Sequence, residues 1–317
     1  MQTPNGLNTG GMGWLGFELS VLRRLKFCSV ALPLAGEPNL GRYLKRWDAR
    51  VLANDPARWA WTKSLAFVEN NSETLTEEDL DTILDDAYVP RNYFHNPTLL
   101  TSFNETDAWW FDNVRANAER LASPYKRALA LSLGMAAGDY VFSFNLETRD
   151  LRQPLSLSDV FRRVWSTLSR PVNNGQRNTS SNQPVKNFLA ELYDVDLVFL
   201  RLPRTARAAD SRNIRVLTWR EEWLRQGRNS ASEPGRDRVA KLSAHVETKE
   251  QYLGLVEDLL QTAAHLPLWA IEGISDGFVS KDELVECVGK TRKIDAVYTK
   301  DFSELLGSQS VIITAAA

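Results

Sequence analysis

The residues that most need a chemical explanation stand at the end of an apolar run, in "DVDLVFLRLPRT". Residues 197–200 predict a buried parallel strand, which Pro203 ends. In an open α/β sheet, ligands bind at the carboxyl ends of such strands. Here that position carries Arg201 and Arg204. A guanidinium only donates hydrogen bonds, so this tip suits a phosphate or a carboxylate.

Positive charge is concentrated just after this tip. Positions 201–241 hold ten arginines and one lysine against five acids, although the whole chain has a formal net charge of −2. A local basic surface on a nearly neutral protein is compatible with a polyanionic partner, but solvated loops and helix faces have the same composition. Five arginines are the candidates for contacts with the phosphates of such a partner: Arg201, Arg204, Arg207, Arg212 and Arg215.

Length and composition restrict the class of protein. A chain of 317 residues is long enough for a core domain with a second lobe. No apolar run reaches the roughly 18 residues of a membrane span, and no signal-peptide pattern opens the sequence, so we expect a cytoplasmic protein without a membrane partner. Cys28 and Cys287 are far apart and the three histidines are scattered. This pattern predicts no metal site and no disulfide framework.

The order of predicted elements indicates a sheet that is interrupted by a helical lobe. Residues 27–36 and 49–56 read as strands around a helix, which is how a doubly wound sheet begins. Residues 57–170 read as mostly helical, and 173–183 as a polar loop. Further strands are predicted at 196–202, 213–219, 266–274, 295–299 and 310–316.

These elements predict an α/β fold with a discontinuous core. The core comprises 1–60 and 184–317, and a mainly helical lobe comprises 61–183. Strand 27–33 is expected near the centre of the sheet, beside the strand that ends at Asp55 and near the one that ends at Arg201.

Five short motifs follow one another along the chain: "WLGFE" (14–18), "LAGEPNLGR" (34–42), "LANDP" (52–56), "VKNF" (185–188) and "LRLPR" (200–204). In this order and spacing the chain resembles the Dam-like adenine-specific DNA methyltransferases of the Asp-Pro-Pro-Tyr class. These enzymes transfer a methyl group from S-adenosylmethionine to the exocyclic amine of adenine. The resemblance covers nearly the whole chain. It implies a Rossmann-like S-adenosylmethionine-dependent methyltransferase sheet with an inserted helical lobe for target recognition.

The resemblance also implies a cofactor site, of which only a remnant is present: Trp14, Gly16, Gly36, Asn54 and Asp55. The Asp55 carboxylate would hold the ribose hydroxyls of the cofactor, or it caps the turn instead. Other positions depart from the family. Glu18 replaces a lysine, Glu37-Pro38 interrupts the Gly-rich loop, and Asn187 replaces an aspartate that would contact the adenine of the cofactor.

The catalytic slot departs furthest, because Arg201, Leu202, Pro203 and Arg204 stand in place of Asp-Pro-Pro-Tyr. An arginine cannot accept a hydrogen bond from the target amine, and its charge opposes the positive charge that develops on the attacking nitrogen. We therefore expect no catalytic residues and no cofactor. The sequence favours an inactive, DNA-associated protein that binds double-stranded DNA beside an active methyltransferase or restriction subunit.

Two other functions stay open. The chain is either a divergent active adenine methyltransferase that uses S-adenosylmethionine, or a protein-interaction module without DNA binding. Arg201 and Arg204 are also compatible with internal salt bridges that fill the vacated pocket. In that pocket we expect Glu18 or Glu37 to pair with an arginine, because an unpaired buried carboxylate is costly. The tryptophans within 107–113 and 218–223 either stack on bases or form a core; their helical spacing favours the core.

Overall fold

The computed structural model describes residues 9–144, 148, 155–202, 211–225, 248–275, 278–306 and 309–317, without the side chains of 9–12, 211–215 and 305–306. Its centre is a seven-stranded sheet. The strands are β1 Ser29–Leu32, β2 Arg50–Asn54, β3 Thr179–Ser181, β4 Leu197–Arg201, β5 Leu268–Ser275, β6 Ile294–Asp301 and β7 Gln309–Ala316.

Helices cover both faces of this sheet and form a separate lobe. The α-helices are α1 Thr9–Leu22, α2 Asn39–Arg46, α3 Arg58–Ser64, α4 Glu77–Leu84, α5 Glu105–Ala118, α6 Pro124–Phe142, α7 Leu157–Ser166, α8 Val185–Glu191, α9 Ser211–Arg225, α10 Lys249–Thr262, α11 Lys281–Thr291 and α12 Ser303–Leu306. A π-helical turn, Leu65–Glu69, continues α3, and a 3-10 turn, Pro97–Thr101, precedes α5. Capping boxes open α10 at Thr248 and α11 at Ser280.

The strand order is β3-β2-β1-β4-β5-β7-β6, so β1 lies near the centre between β2 and β4, as the sequence predicts. Every strand pair is parallel except the two that involve β7, which runs antiparallel to both β5 and β6. The chain leaves β1 towards β2 on one side, while β4 lies on the other. This reversal opens a crevice at the carboxyl ends of β1 and β4, where α/β sheets bind ligands.

The two faces of the sheet bury different helices, because successive side chains of a strand point to opposite faces. In β4, Leu197 and Phe199 belong to the core that α1 and α2 cover. Val198 and Leu200 belong to the core under α8, α10 and α11. All four are buried, which accounts for the continuous apolar run in the sequence.

The third core lies within the helical lobe and includes residues of α9. Trp219 and Trp223 of α9 lie against glycines of α6. A Cβ atom added at Gly138 would lie 2.1 Å from the Trp219 ring, and one added at Gly134 would lie 2.3 Å from the Trp223 ring. Trp110 belongs to the same core, and Trp109 is buried and stacks on Phe94, so these rings have the structural role that their spacing favours.

Two local predictions were wrong. Residues 213–219, predicted as a strand, lie in α9, because Trp219 and Trp223 recur at helical spacing and pack together against α6. Strand β3 lies within 173–183, predicted as a loop; its Thr-Ser-Ser sequence has no apolar residue that would predict a strand. The boundaries of the core and the lobe given above stay a prediction.

The described part of the chain contains neither a membrane-spanning helix nor a metal-binding group of side chains. None of its helices combines the length and the apolar character that crossing a bilayer requires. Its histidine, cysteine and acidic side chains form no group that could bind a metal ion.

Candidate functional site

The candidate site is the crevice at the carboxyl ends of β1 and β4. The turn after β1 contains Gly36, which has a φ of 58°, a left-handed conformation that glycine adopts without strain. The Gly36 N–H donates to the Asp55 carboxylate at 2.9 Å, so the turn after β1 is fixed to the turn after β2. Pro38, two positions after Gly36, is the N-cap residue of α2 and forms no side-chain capping hydrogen bond.

Arg201 lies at the end of β4 and makes its contacts inside the protein. Its Nε and one terminal nitrogen donate to the two carboxylate oxygens of Glu18, each at 2.6 Å. The other terminal nitrogen donates to the Ala35 carbonyl oxygen at 3.0 Å. The Glu18 side chain is 1% exposed and that of Arg201 26% exposed. We call Glu18, Arg201 and the adjacent Glu272 the Arg201 cluster.

Glu272 supplies a second carboxyl group to this cluster. It pairs with Arg201 in the register of β4 and β5, and its Oε2 lies 3.5 Å from the Arg201 Nε. Burial, and next the negative charge of Glu18, raise the pKa of Glu272 well above its usual value, although Arg201 opposes the change. Burial and the neighbouring Glu18 therefore disfavour a charge on Glu272, and the bidentate contact with Arg201 belongs to Glu18.

A second ionic group, the Glu37 cluster, joins the turn after β1 to the helical lobe. Lys63 of α3 donates to both carboxylate oxygens of Glu37 at 2.8 Å, and Arg220 of α9 donates to Glu37 at 2.9 Å. The Arg220 Nε also donates to Asp139 of α6 at 3.0 Å. Desolvation alone would raise the pKa of Glu37, but the charges of Lys63 and Arg220 outweigh it and lower that pKa to about 2.

Asn54 and Asp55 use their polar atoms to hold backbone segments together. The Asp55 carboxylate accepts from the Gly36 and Ala57 N–H groups, each at 2.9 Å. The Asn54 amide donates to the Pro33 carbonyl oxygen at 3.0 Å and accepts from the Gln183 N–H at 3.1 Å. Burial raises the pKa of Asp55 to about 6. Asp55 thus caps the turn, which is the structural alternative for this residue.

The remaining parts of the predicted cofactor site lie on two helices. Trp14 and Gly16 are part of α1, and the Trp14 ring stacks on Phe302 with 5.2 Å between ring centroids. Gly16 is exposed, and nothing lies within 4 Å of a Cβ atom added there. Asn187 lies exposed on α8. The structure brings Gly36 and Asp55 together, and the Trp14 side chain hydrogen-bonds to Glu272 of the Arg201 cluster. Asn187 lies on α8, apart from these contacts.

The predicted DNA-contacting arginines fall into three groups. Arg201 is held in its cluster, as in the internal salt-bridge alternative, and its buried neighbour Leu202 donates its N–H to the Glu272 carbonyl oxygen at 2.8 Å. Arg212 and Arg215 lie in α9. Three residues lie outside the described part of the chain: Pro203, Arg204 and Arg207.

Sequence reasoning missed Glu272 in the Arg201 cluster and the partners of Glu37. Glu272 ends the apolar stretch of β5 as Arg201 ends that of β4, and this parallel position was a usable signal. No comparable signal exists for Lys63, Asp139 and Arg220, because they come from three different helices; Lys63 and Arg220 contact Glu37, and Asp139 contacts Arg220.

The crevice is therefore filled by side chains that neutralise one another. The expectation that Glu18 or Glu37 pairs with an arginine is confirmed for both residues. Arg201 cannot accept a proton or a hydrogen bond, and its own contacts fix its position. Comparison with models of known protein families and with curated proteins gave no match for this chain.

Proposed function

We propose that this protein is a catalytically inactive relative of the adenine-specific DNA methyltransferases, which acts as a DNA-binding or scaffolding subunit. The observation that carries the proposal is the bidentate pairing of Arg201 with buried Glu18 at 2.6 Å. In the resemblance described above, these two positions hold an acid and a lysine. The chain thus has the opposite charge at both positions, and the two side chains are in direct contact.

The architecture supports this assignment. The sheet order differs from the dinucleotide-binding order 3-2-1-4-5-6 by one antiparallel strand, β7, between β5 and β6. This order is compatible with the Rossmann-like methyltransferase sheet that the resemblance implies. The crevice between β1 and β4 would then correspond to their cofactor site.

The chemistry of the crevice argues against methyl transfer. A methyltransferase of this class needs an acceptor for the hydrogens of the target amine, and Arg201 supplies only donors. Gly36 keeps the left-handed turn, but Glu37 brings a carboxylate of pKa about 2 beside it and Pro38 removes a backbone N–H. We infer that the protein requires no cofactor.

Double-stranded DNA is the partner that the basic segment after β4 suits. Arg212 and Arg215, together with Arg204 and Arg207, belong to a segment in which arginines outnumber acids. Contacts from arginines to phosphates give affinity without much choice of sequence. An inactive subunit of this kind would act beside an active methyltransferase or restriction subunit, which would supply the sequence specificity and the chemistry.

DNA binding tests this proposal. The purified chain should bind unrelated duplexes with similar affinities that fall steeply as salt rises. Replacing Arg204 and Arg207 by alanine should weaken all of these complexes by similar factors and reduce the salt slope by up to about two. Methylation of adenine in the duplex would instead establish a divergent active enzyme. Failure to bind any duplex at low salt would leave a protein-interaction module.

A further inference from the structure

A second basic surface lies at the amino ends of the parallel strands, whereas the candidate site lies at their carboxyl ends. Between positions 23 and 50 the chain has seven lysines and arginines and two acids. One of those acids, Glu37, is paired in its own cluster. The surface consists of the end of α1 and the residues after it together with the end of α2, and we call it the amino-edge surface: Arg23, Arg24, Lys26, Arg42, Tyr43, Arg46 and Trp47.

Its location follows from the topology. Lys26 lies three positions before Ser29, the first residue of β1, and Trp47 lies three positions before Arg50, the first residue of β2. Both segments therefore lie where the parallel strands begin. The turns that carry Gly36 and Arg201 lie where the same strands end. This surface does not depend on the proposed function, which concerns the other edge.

The arginines of this surface are stacked on aromatic rings. The guanidinium carbon of Arg23 lies 5.3 Å from the centroid of the Trp47 ring, and that of Arg46 lies 5.1 Å from the centroid of Tyr43. Such a cation–π contact uses the charge of the guanidinium without consuming its N–H donors, which stay available to an anion. It also reduces the side-chain freedom that binding would otherwise remove.

Four of the five positive charges of this surface have no acidic partner in the part of the chain that the structure describes, and the fifth, Arg42, donates to the Ser169 hydroxyl. None of Arg23, Arg24, Lys26 and Arg46 forms a salt bridge with a described carboxylate, and all four are exposed. The nearest acid in sequence, Asp48, is a single charge. Elsewhere exposed arginines do pair: Arg162, for example, contacts two acids of α4.

The number of separate cations on this surface favours a partner that carries several anionic groups. The guanidinium carbon of Arg24 lies 5.2 Å from the centroid of the Tyr298 ring in β6, whereas that of Arg23 lies over Trp47. Neighbouring arginines are thus held on different rings. One strand of B-DNA carries a phosphate about every 3.4 Å along its axis, so it offers each cation a phosphate of its own. A single small anion would contact only some of these cations.

We propose that the amino-edge surface binds the phosphate backbone of a nucleic acid. The stacked guanidinium edges of Arg23, Arg24 and Arg46 donate to successive phosphates, and Lys26 adds a point charge. These contacts read no base, so they add affinity and orient the protein on the polymer.

The test is the affinity of the full chain for a fluorescein-labelled 20-base-pair duplex, measured by anisotropy at 50 and 200 mM salt. The variant is Arg23→Gln/Arg24→Gln/Arg46→Gln. The control is Arg120→Gln/Arg162→Gln/Lys281→Gln, which removes the same charge from cations that already pair with acids. We expect the variant to bind at least about tenfold more weakly than the control at 50 mM salt. Its salt slope should fall by about two to three.

Three outcomes would overturn the inference. The first is a variant that binds within twofold of the control; the second is a wild-type chain that binds a polyglutamate peptide but not the duplex. The third is a loss confined to Arg204→Ala/Arg207→Ala, which would support the proposed function alone. Circular dichroism shows whether each variant is folded. If the triple variant unfolds, the single variant Lys26→Gln replaces it, because the Lys26 side chain has no ring contact in the described structure. This variant should lose less affinity for the duplex than is expected of the triple variant.

Discussion

Replacing Arg201 by methionine should destabilise the protein strongly, because it leaves the Glu18 carboxylate buried without its partner. Breaking a buried ion pair by removing one member costs about 3–5 kcal/mol. Arg201 is 26% exposed and Glu18 is 1% exposed, so we expect the lower end of this range, about 3 kcal/mol. At on the order of 2 °C per kcal/mol, the melting temperature should fall by about 6 °C.

Urea unfolding at pH 7, followed by tryptophan fluorescence, measures this loss. The double variant Glu18→Gln/Arg201→Met removes both charges and should recover at least half of the stability. Arg162→Met, which breaks only exposed pairs, should stay within about 1 kcal/mol of the wild type. A loss below about 1 kcal/mol in Arg201→Met, or a double variant no more stable than the single one, would refute the buried-pair explanation.

Three further predictions concern stability. Burial, and next the charge of Arg42, lower the pKa of Lys45 from 10.5 to about 8, so the free energy of unfolding should rise between about pH 8 and 10.5. The Lys45→Met variant should be up to about 3 kcal/mol more stable than the wild type at pH 7 and should not show this rise. Urea unfolding at several pH values measures both effects. The Gly138→Ala variant should have a free energy of unfolding at least about 1–3 kcal/mol lower than the wild type, because its Cβ atom would overlap the Trp219 ring. The control Gly254→Ala has open space around the added Cβ atom and should be up to about 1 kcal/mol more stable. Thermal unfolding measures both changes. The folded-state pKa of Glu37, about 2, lies below its unfolded value, so Glu37 stabilises the folded protein above about pH 4.5 and this stabilisation is lost as the pH falls towards 2. The Glu37→Gln variant should flatten this part of the acid unfolding curve. An unchanged curve would contradict the pairing of Glu37 with Lys63 and Arg220.

The parts of the fold that could be predicted from sequence are those with a local signal. The apolar strands of the sheet core have continuous buried runs, and the capping boxes at Thr248 and Ser280 mark helix starts. The central position of β1 followed from the order of elements. Strand β3 could not be found because its three polar residues depend on pairing with β2. The helical character of residues 213–219 is visible only when the sequence is read as far as Trp223, because Trp219 and Trp223 together show the helical spacing.

Only one part of the candidate site could be predicted from the sequence, namely the contact at the end of β4 between the motifs that contain Glu18 and Arg201. The pairing of Glu18 with an arginine was expected from the cost of an unpaired carboxylate, but its partner could equally have come from a loop. The Glu37 cluster depends on how α3, α6 and α9 pack, and no local pattern specifies that packing. The amino-edge surface was not predicted, because its rings and cations come from three separate elements.

The central claim is that the crevice between β1 and β4 no longer serves methyl transfer. Isothermal titration of the purified chain with S-adenosylmethionine tests this claim most directly. We predict no heat of binding up to millimolar cofactor, both alone and with an adenine-containing duplex present. Tight binding of S-adenosylmethionine, followed by transfer of its methyl group to adenine, would contradict the account.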